Sequence, residues 1–347
     1  MEKIISHATD IDSSKKKVEH ISILDFLRGF AAVSVMFFHF ASCKGLVKFS
    51  SPILSNLFPW GNRGVDIFFV ISGFIIPYSL WNTEYKLKEF LRFMAKRFMR
   101  IAPPAYVCLL LIIIQWIIVD SYIKHQVVTR VGELNFVQII RNLLFQYPLL
   151  DPNWINPVFW TLAIEFQFYV IVGLFYNLLF TQKKLWLFIV GFFLLMSGYY
   201  FFNFSEYSLS GYAPLFAMGG ATLHFKKGTI SLRNYLLTLL LFAVVAVSVL
   251  NVLSAVLGTA SALLIAFAQG RNIILSFFGK ISYSLYLMHI MVGSTTEFLL
   301  AKVYHPTTEL GNLLGIGICV ACAIAFAYAF FRYVEMPFMK LARQLKL

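Results

Sequence analysis

Residues 21–40 read ISILDFLRGFAAVSVMFFHF. Apart from Asp25, Arg28 and His39, the stretch holds only apolar residues, one glycine and two serines. Its length matches the roughly 20 residues a helix needs to cross the hydrocarbon of a bilayer. Asp25 and Arg28 are three apart, close enough to pair on one helix face. Arg28 and His39 are eleven apart, or three turns plus about 20°, so both side chains point the same way about 16 Å apart along the axis. A guanidinium then sits low in the span with an imidazole above it. A snorkelling arginine and a core histidine bonded to a neighbour would give the same pattern, and this helix alone leaves both readings open.

Similar stretches recur along the chain. Ten are read as membrane helices, at roughly 22–42, 64–81, 101–121, 157–180, 185–202, 211–225, 233–250, 252–268, 276–299 and 312–332. The fifth to eighth are separated only by short breaks such as 203–210 and Asn251. Composition agrees: the 347 residues are 59% hydrophobic and 13% charged, and the mean hydropathy is +0.76. Soluble domains carry about 25% charged residues. A soluble enzyme, a disordered chain and a disulfide scaffold are therefore excluded. The expected fold class is an all-α integral membrane protein, a bundle of about ten transmembrane helices. Residues 1–20 form a polar cytoplasmic tail, 21–335 one membrane domain, and 336–347 a second cytoplasmic tail.

The 29 Lys and Arg against 16 Asp and Glu leave a formal charge of +13. With the N-terminus in the cytoplasm, about 22 of the basic residues fall inside and about 7 outside, as the positive-inside rule requires. The outer set is Lys44, Lys48, Arg63, Lys124, Arg130, Arg141 and Lys302. Both termini are then cytoplasmic. Topology accounts for the charge, so no nucleic-acid partner is expected; membrane lipid is. Of the four cysteines, Cys43, Cys108, Cys319 and Cys322, three lie in apolar runs and read as small hydrophobes. No metal-ligand spacing, Walker loop, G-x-S-x-G or dinucleotide fingerprint is present, and no metal is expected.

Polar residues inside a bilayer are costly, which makes each a functional candidate. Asp66, in NRGVDIFFVISGFII, enters from outside near the depth of His39 and suits orientation of the imidazole; a helix-start aspartate would look the same. Lys96, Arg97 and Arg100, in KLKEFLRFMAKRFMRIAPP, stand where they suit a polyanion, although the positive-inside rule also places basic residues there. Pro103-Pro104 is expected to break that approach helix from the span. Glu165, in PVFWTLAIEFQFYVIVGLF, is a carboxylate well inside the bilayer, flanked by Trp160 and Tyr169. FFGKISYSLYLMHIMV carries Tyr283 and His289. Arg332 and Glu335, three apart at the inner interface, read as a structural clasp. The inventory of His, Glu, Asp, Arg and Tyr suits general-base transfer to a hydroxyl or proton-coupled transport.

At these residues the chain resembles the membrane-bound acyltransferase 3 family. The matching motifs are LDFLRGFAAVSVMFFHF, GVDIFFVISGFII, RFMRIAPP, FWTLAIEFQFY, GKISYSLYLMHIMV and RYVEMPF, in that order. Two departures are small: Phe166 stands where a second acidic residue is usual, and Met336 where a basic one is. The resemblance implies acyl transfer, commonly acetyl from acetyl-CoA, onto a hydroxyl of a cell-envelope carbohydrate such as O-antigen or exopolysaccharide, at the inner membrane. It implies Arg28 and His39 as the essential pair and Arg97 and Arg100 as donor-side residues. It also implies a stand-alone enzyme, without the hydrolase-like domain many members carry.

The resulting expectation assigns catalysis to His39 as general base, with Arg28, Asp66 and Glu165. Lys96, Arg97, Arg100 and Arg28 bind the acyl-CoA donor. Trp160, Tyr283 and His289 contact the carbohydrate or lipid-linked glycan acceptor. A proton-coupled secondary transporter of a small anion or acyl group is the alternative.

Overall fold

Each of the ten apolar stretches is occupied by helix in the computed structural model, and among the described residues there is no strand. The described residues are 22–42, 49, 51–122, 131–132, 134–145, 154–181, 184–201, 208–269 and 272–345. The tail 1–20, Cys43, Lys44, Lys48, Lys124, Arg130 and most of the break 203–210 lie outside them.

In chain order the helices are α1 (Ser22–Ser42), α2 (Pro52–Leu57), α3 (Gly64–Trp81), α4 (Phe90–Tyr122), α5 (Phe136–Leu143), α6 (Phe159–Tyr176) and α7 (Leu185–Phe201). They continue with α8 (Leu209–Lys226), α9 (Leu232–Val249), α10 (Val252–Phe267), α11 (Ile273–Leu300), α12 (Glu309–Phe330) and α13 (Met336–Gln344). Wider π turns at Asn177–Thr181 and Phe331–Glu335 extend α6 and join α12 to α13. Seven helical stretches are long and apolar enough to cross a membrane: Ser22–Ala41, Pro52–Trp81, Leu87–Ser121, Phe159–Thr181, Leu232–Val249, Ile273–Leu300 and Glu309–Gln344. Leu185–Tyr199 and Val252–Phe267 are shorter apolar helices. The chain is a multi-pass membrane protein.

Helix starts follow local chemistry. The side chains of Ser208, Ser231, Asn251, Asn272 and Thr308 accept hydrogen bonds from backbone N–H groups three residues on. Each satisfies a donor that the first helical turn leaves open. Asn251, a lone polar residue between two apolar runs, is such a cap, its Oδ1 2.9 Å from the Ser254 nitrogen.

Two close helix pairs set the interior. α8 is buried on every side from Leu209 to His224, which makes it the central helix. It runs parallel to α3: Phe69 meets Tyr212 and Phe216, and Lys227 lies 4.5 Å from the Tyr78 ring centre. At the crossing a Cβ on Gly73 or Gly219 would collide with backbone of the opposite helix. α1 and α11 are also parallel, with Gly29 against Leu275, Asp25 against Gly279, and Phe40 against Gly293. Small residues let the backbones approach where lipid supplies no hydrophobic drive. α12 covers this second pair through Ile316, Cys319, Ala323 and Ala327. Cys319 is buried there and Cys322 half-buried, both as free thiols.

Two sequence expectations change. α4 runs unbroken through Pro103 and Pro104. Each proline removes only one N–H from the ladder, and within a bundle neighbouring groups compensate such losses. Tyr283 on α11 binds α4 at this point, donating from its hydroxyl to the Ile101 carbonyl at 2.6 Å. Arg332 and Glu335 form no clasp. The π turn between them sends Arg332 to the surface, where it reaches Met336, and turns Glu335 inward, 5% exposed.

Candidate functional site

Arg28 stands in the first third of α1, and the side chains around it come from three other elements. Its electrostatic neighbours are Asp25 on the same helix, Arg100 on α4, and Glu165 and Tyr169 on α6. Arg97, one turn before Arg100, shares Tyr169, Glu165, Arg100 and Arg28 as neighbours. Glu335, brought in by the π turn, faces Arg100 and Arg28 and accepts from the Ser284 hydroxyl at 2.5 Å. Three guanidiniums from two helices therefore converge with three carboxylates, Asp25, Glu165 and Glu335, in one place. Arg28 and Glu165 remain half-exposed between these elements.

The surroundings of Arg97 are unusual. It is 9% exposed, its guanidinium 5.4 Å from the Phe93 ring centre and 5.8 Å from that of Tyr169. It donates to the Ser79 hydroxyl of α3. Its Nε is buried with no partner. A buried charge is stable when paired, so a guanidinium bonded to a neutral hydroxyl and flanked by rings is prepared for an anion. One face of α3 completes the site: Ser72, two turns before Ser79, donates to Glu165 Oε1 at 3.0 Å. Lys96 stands half-buried beside Arg97, and Arg100 is exposed. Arg fits phosphate because its fork gives two parallel donors.

The second centre lies eleven residues further along α1. His39 meets His289 of α11, with ring centres 5.1 Å apart and planes at 47°. Phe38 flanks His39 at 5.0 Å, and Phe40 and Tyr286 flank His289 at 6.4 and 5.9 Å. The Tyr286 hydroxyl is 2.8 Å from that of Thr161 on α6. The α11 backbone beneath His289 is held from outside its own helix. Asn156 Nδ2 and the Cys108 thiol both donate to the Leu287 carbonyl, at 3.1 and 3.3 Å. The parallel register of α1 and α11 is what brings the two imidazoles level.

The remaining candidates separate. Glu165 belongs to the arginine centre. Asp66 is 0% exposed and lies beside the Ser254 side chain of α10 and Arg63. Trp160 packs with Phe69 and Tyr212, 6.1 and 5.5 Å away, against the central helix. Tyr283 lies on the arginine side, with Glu335 and Glu165 as neighbours and its hydroxyl proton engaged by Ile101. Sequence reasoning missed Ser79 and the inward turn of Glu335. The seven-residue spacing of Ser72 and Ser79 on a mostly apolar helix was a readable signal; the π turn was not. Among the described residues no three His, Cys, Asp or Glu side chains gather as a metal would require.

Comparison with known proteins identifies the family. No solved structure matches the chain significantly. The chain is 31% identical over 154 residues to the O-acetyl transferase of Shigella phage Sf6, an alignment covering 43% of this chain and 44% of that protein. It is 29% identical over 165 residues to the peptidoglycan O-acetyltransferase OatA of Listeria monocytogenes, covering 44% of this chain and 24% of that protein. The chain thus spans less than half the length of each of these relatives. The acyltransferase domain profile matches residues 21–332, which include Arg28, His39, Arg97, Arg100, Glu165 and His289 and stop just short of Glu335. With nearly the whole chain matched, this protein belongs to the acyltransferase 3 family.

Proposed function

We propose that the protein is an O-acetyltransferase that moves an acetyl group from acetyl-CoA to a hydroxyl of a cell-envelope glycan. The observation that carries this is Arg97, buried among rings with an unpartnered Nε, together with Arg28 and Arg100 on the helix system that also holds His39. The names of the relatives, an O-acetyl transferase and a peptidoglycan O-acetyltransferase, support the class of reaction.

In this reading all ten helices cross the inner membrane and both termini are cytoplasmic, as the Lys and Arg asymmetry suggests. Arg97, Arg100, Lys96 and Arg28 hold the donor's phosphates from the cytoplasmic side. Glu165 and Glu335 fix the guanidiniums in place. The thioester reaches along α1 toward His39. His39 takes the proton of the acceptor hydroxyl as its oxygen attacks the carbonyl. The C–S bond then breaks and the thiolate receives that proton. Trp160 offers an aromatic face to the sugar, Tyr283 ties α11 to α4 on the donor side, and His289 lines the acceptor space. Asp66 organises the outer side through Arg63 and Ser254.

Purified protein incubated with radiolabelled acetyl-CoA and envelope glycan tests the reading: label appears on the glycan. Solute flux in vesicles without label transfer selects the transporter instead. His39→Ala lowers transfer by about 10²–10⁴-fold with protein still in the membrane, the span general-base catalysis covers. Near-normal acylation by that variant removes the role. Arg97→Ala with Arg100→Ala weakens acetyl-CoA binding by about 100-fold or more, since charge-assisted bonds contribute roughly 1.5–3 kcal/mol each. Unchanged affinity in a calorimetric titration returns these residues to topology alone.

A further inference from the structure

The two ring nitrogens of His289 have unequal surroundings. Nδ1 lies 2.8 Å from the Tyr286 carbonyl oxygen and 3.1 Å from that of Leu285. Carbonyls only accept, so Nδ1 carries the proton and donates to its own helix. In the neutral ring Nε2 is then a lone-pair acceptor. It is buried, in a residue 1% exposed, and has no hydrogen-bond partner. Buried polar atoms are almost always bonded, so such an exception asks for a use.

Geometry indicates what that use is. With Nδ1 fixed to α11, Nε2 is on the ring edge away from that backbone, and the rings His289 meets from another helix are His39 and Phe40 of α1. Phe40 offers no donor. The 5.1 Å between the two imidazole centres equals the separation of an N–H···N pair, roughly 5 Å when about 2.9 Å between nitrogens is added to the two ring radii. Turning His39 about its broad terminal torsion brings a nitrogen to Nε2. Neither helix need move, because Gly29, Gly279 and Gly293 hold α1 and α11 at fixed spacing.

We propose that His289 Nε2 accepts the ring N–H of His39 during turnover and thereby fixes the tautomer of the base. The other His39 nitrogen then presents its lone pair to the acceptor hydroxyl. When His39 takes the proton, both of its nitrogens donate, and the bond to Nε2 becomes charge-assisted and stronger. His289 is in this sense a positioning residue, and the inference rests on His39 being the base.

Two substitutions separate the parts of the ring. His289→Asn keeps a donor near the position of Nδ1 and has no atom where Nε2 stood, whereas His289→Gln places an oxygen acceptor near Nε2. The assay is acetyl transfer by the full-length protein in detergent or vesicles, with His39→Ala alongside. His289→Asn lowers kcat about 10²-fold, the lower range of general-base effects, while KM for acetyl-CoA and the melting temperature stay near wild type. His289→Gln recovers at least about tenfold of that loss in kcat. Wild-type kcat in His289→Asn, or equal kcat in the two variants, overturns the positioning role. Loss in His39→Ala with full activity in His289→Asn removes this inference alone, and full activity in His39→Ala removes both it and the base.

Discussion

Arg28 shows how much of the chemistry depends on residue type rather than charge. Its place in the first third of α1 was legible, because an arginine eleven residues before a histidine on an apolar helix shares its face. Its partners were not: Arg100, Glu165 and Tyr169 come from elements far apart in the chain. Replacing Arg28 with Lys keeps the charge and loses the planar fork that matches a phosphate. Arg28→Lys is expected to raise KM for acetyl-CoA about tenfold, the loss of one charge-assisted bond. Steady-state kinetics check this, and wild-type values reduce Arg28 to a point charge. Glu165 was readable as a buried carboxylate that needs a partner. Which partner it had was a question of tertiary structure, and the answer is Ser72 and the arginines.

The parallel pair α1 and α11 is the element on which the histidine centre depends. Its spacing is set where Gly29 and Gly279 leave room for the opposite backbone. A Cβ at Gly279 would meet the Asp25 carbonyl, and Gly279→Leu drives the helices apart at the level of Arg28. Over-packing of this kind costs about 1–3 kcal/mol. The expected result is a lower melting temperature in detergent together with lost transfer. Gly317→Leu on α12 is the control: nothing lies within 4 Å of its added Cβ, so stability and activity stay near wild type. Unchanged activity in Gly279→Leu removes the spacing argument. The π turn at Phe331–Glu335 is the counterexample in legibility. An ordinary helix leaves residues three apart on one face, which made Arg332 and Glu335 look paired. A wider turn changes that angle, and its presence is decided by packing against α4 and α11.

Across the whole molecule, the arginine centre and the histidine centre are separated along α1 by about 16 Å, eleven residues at 1.5 Å each. In the proposed function the first is the donor side and the second the acceptor side of one bundle. With ten crossings, a reporter active only in the cytoplasm is active when fused to either end of the chain, and alkaline phosphatase fused there is silent. Active phosphatase at one end alone makes the number of crossings odd and reverses one side of the site. Most helix locations and membrane residence followed from the sequence alone, and the candidate residues on α1, α4 and α6 stood out in it, because crossing a bilayer demands long apolar runs and makes every interior charge conspicuous. The grouping of those residues was decided only by the tertiary structure. Which helices lie side by side depends on where glycines admit a neighbouring backbone and where a π turn rotates a side chain, and neither follows from hydropathy.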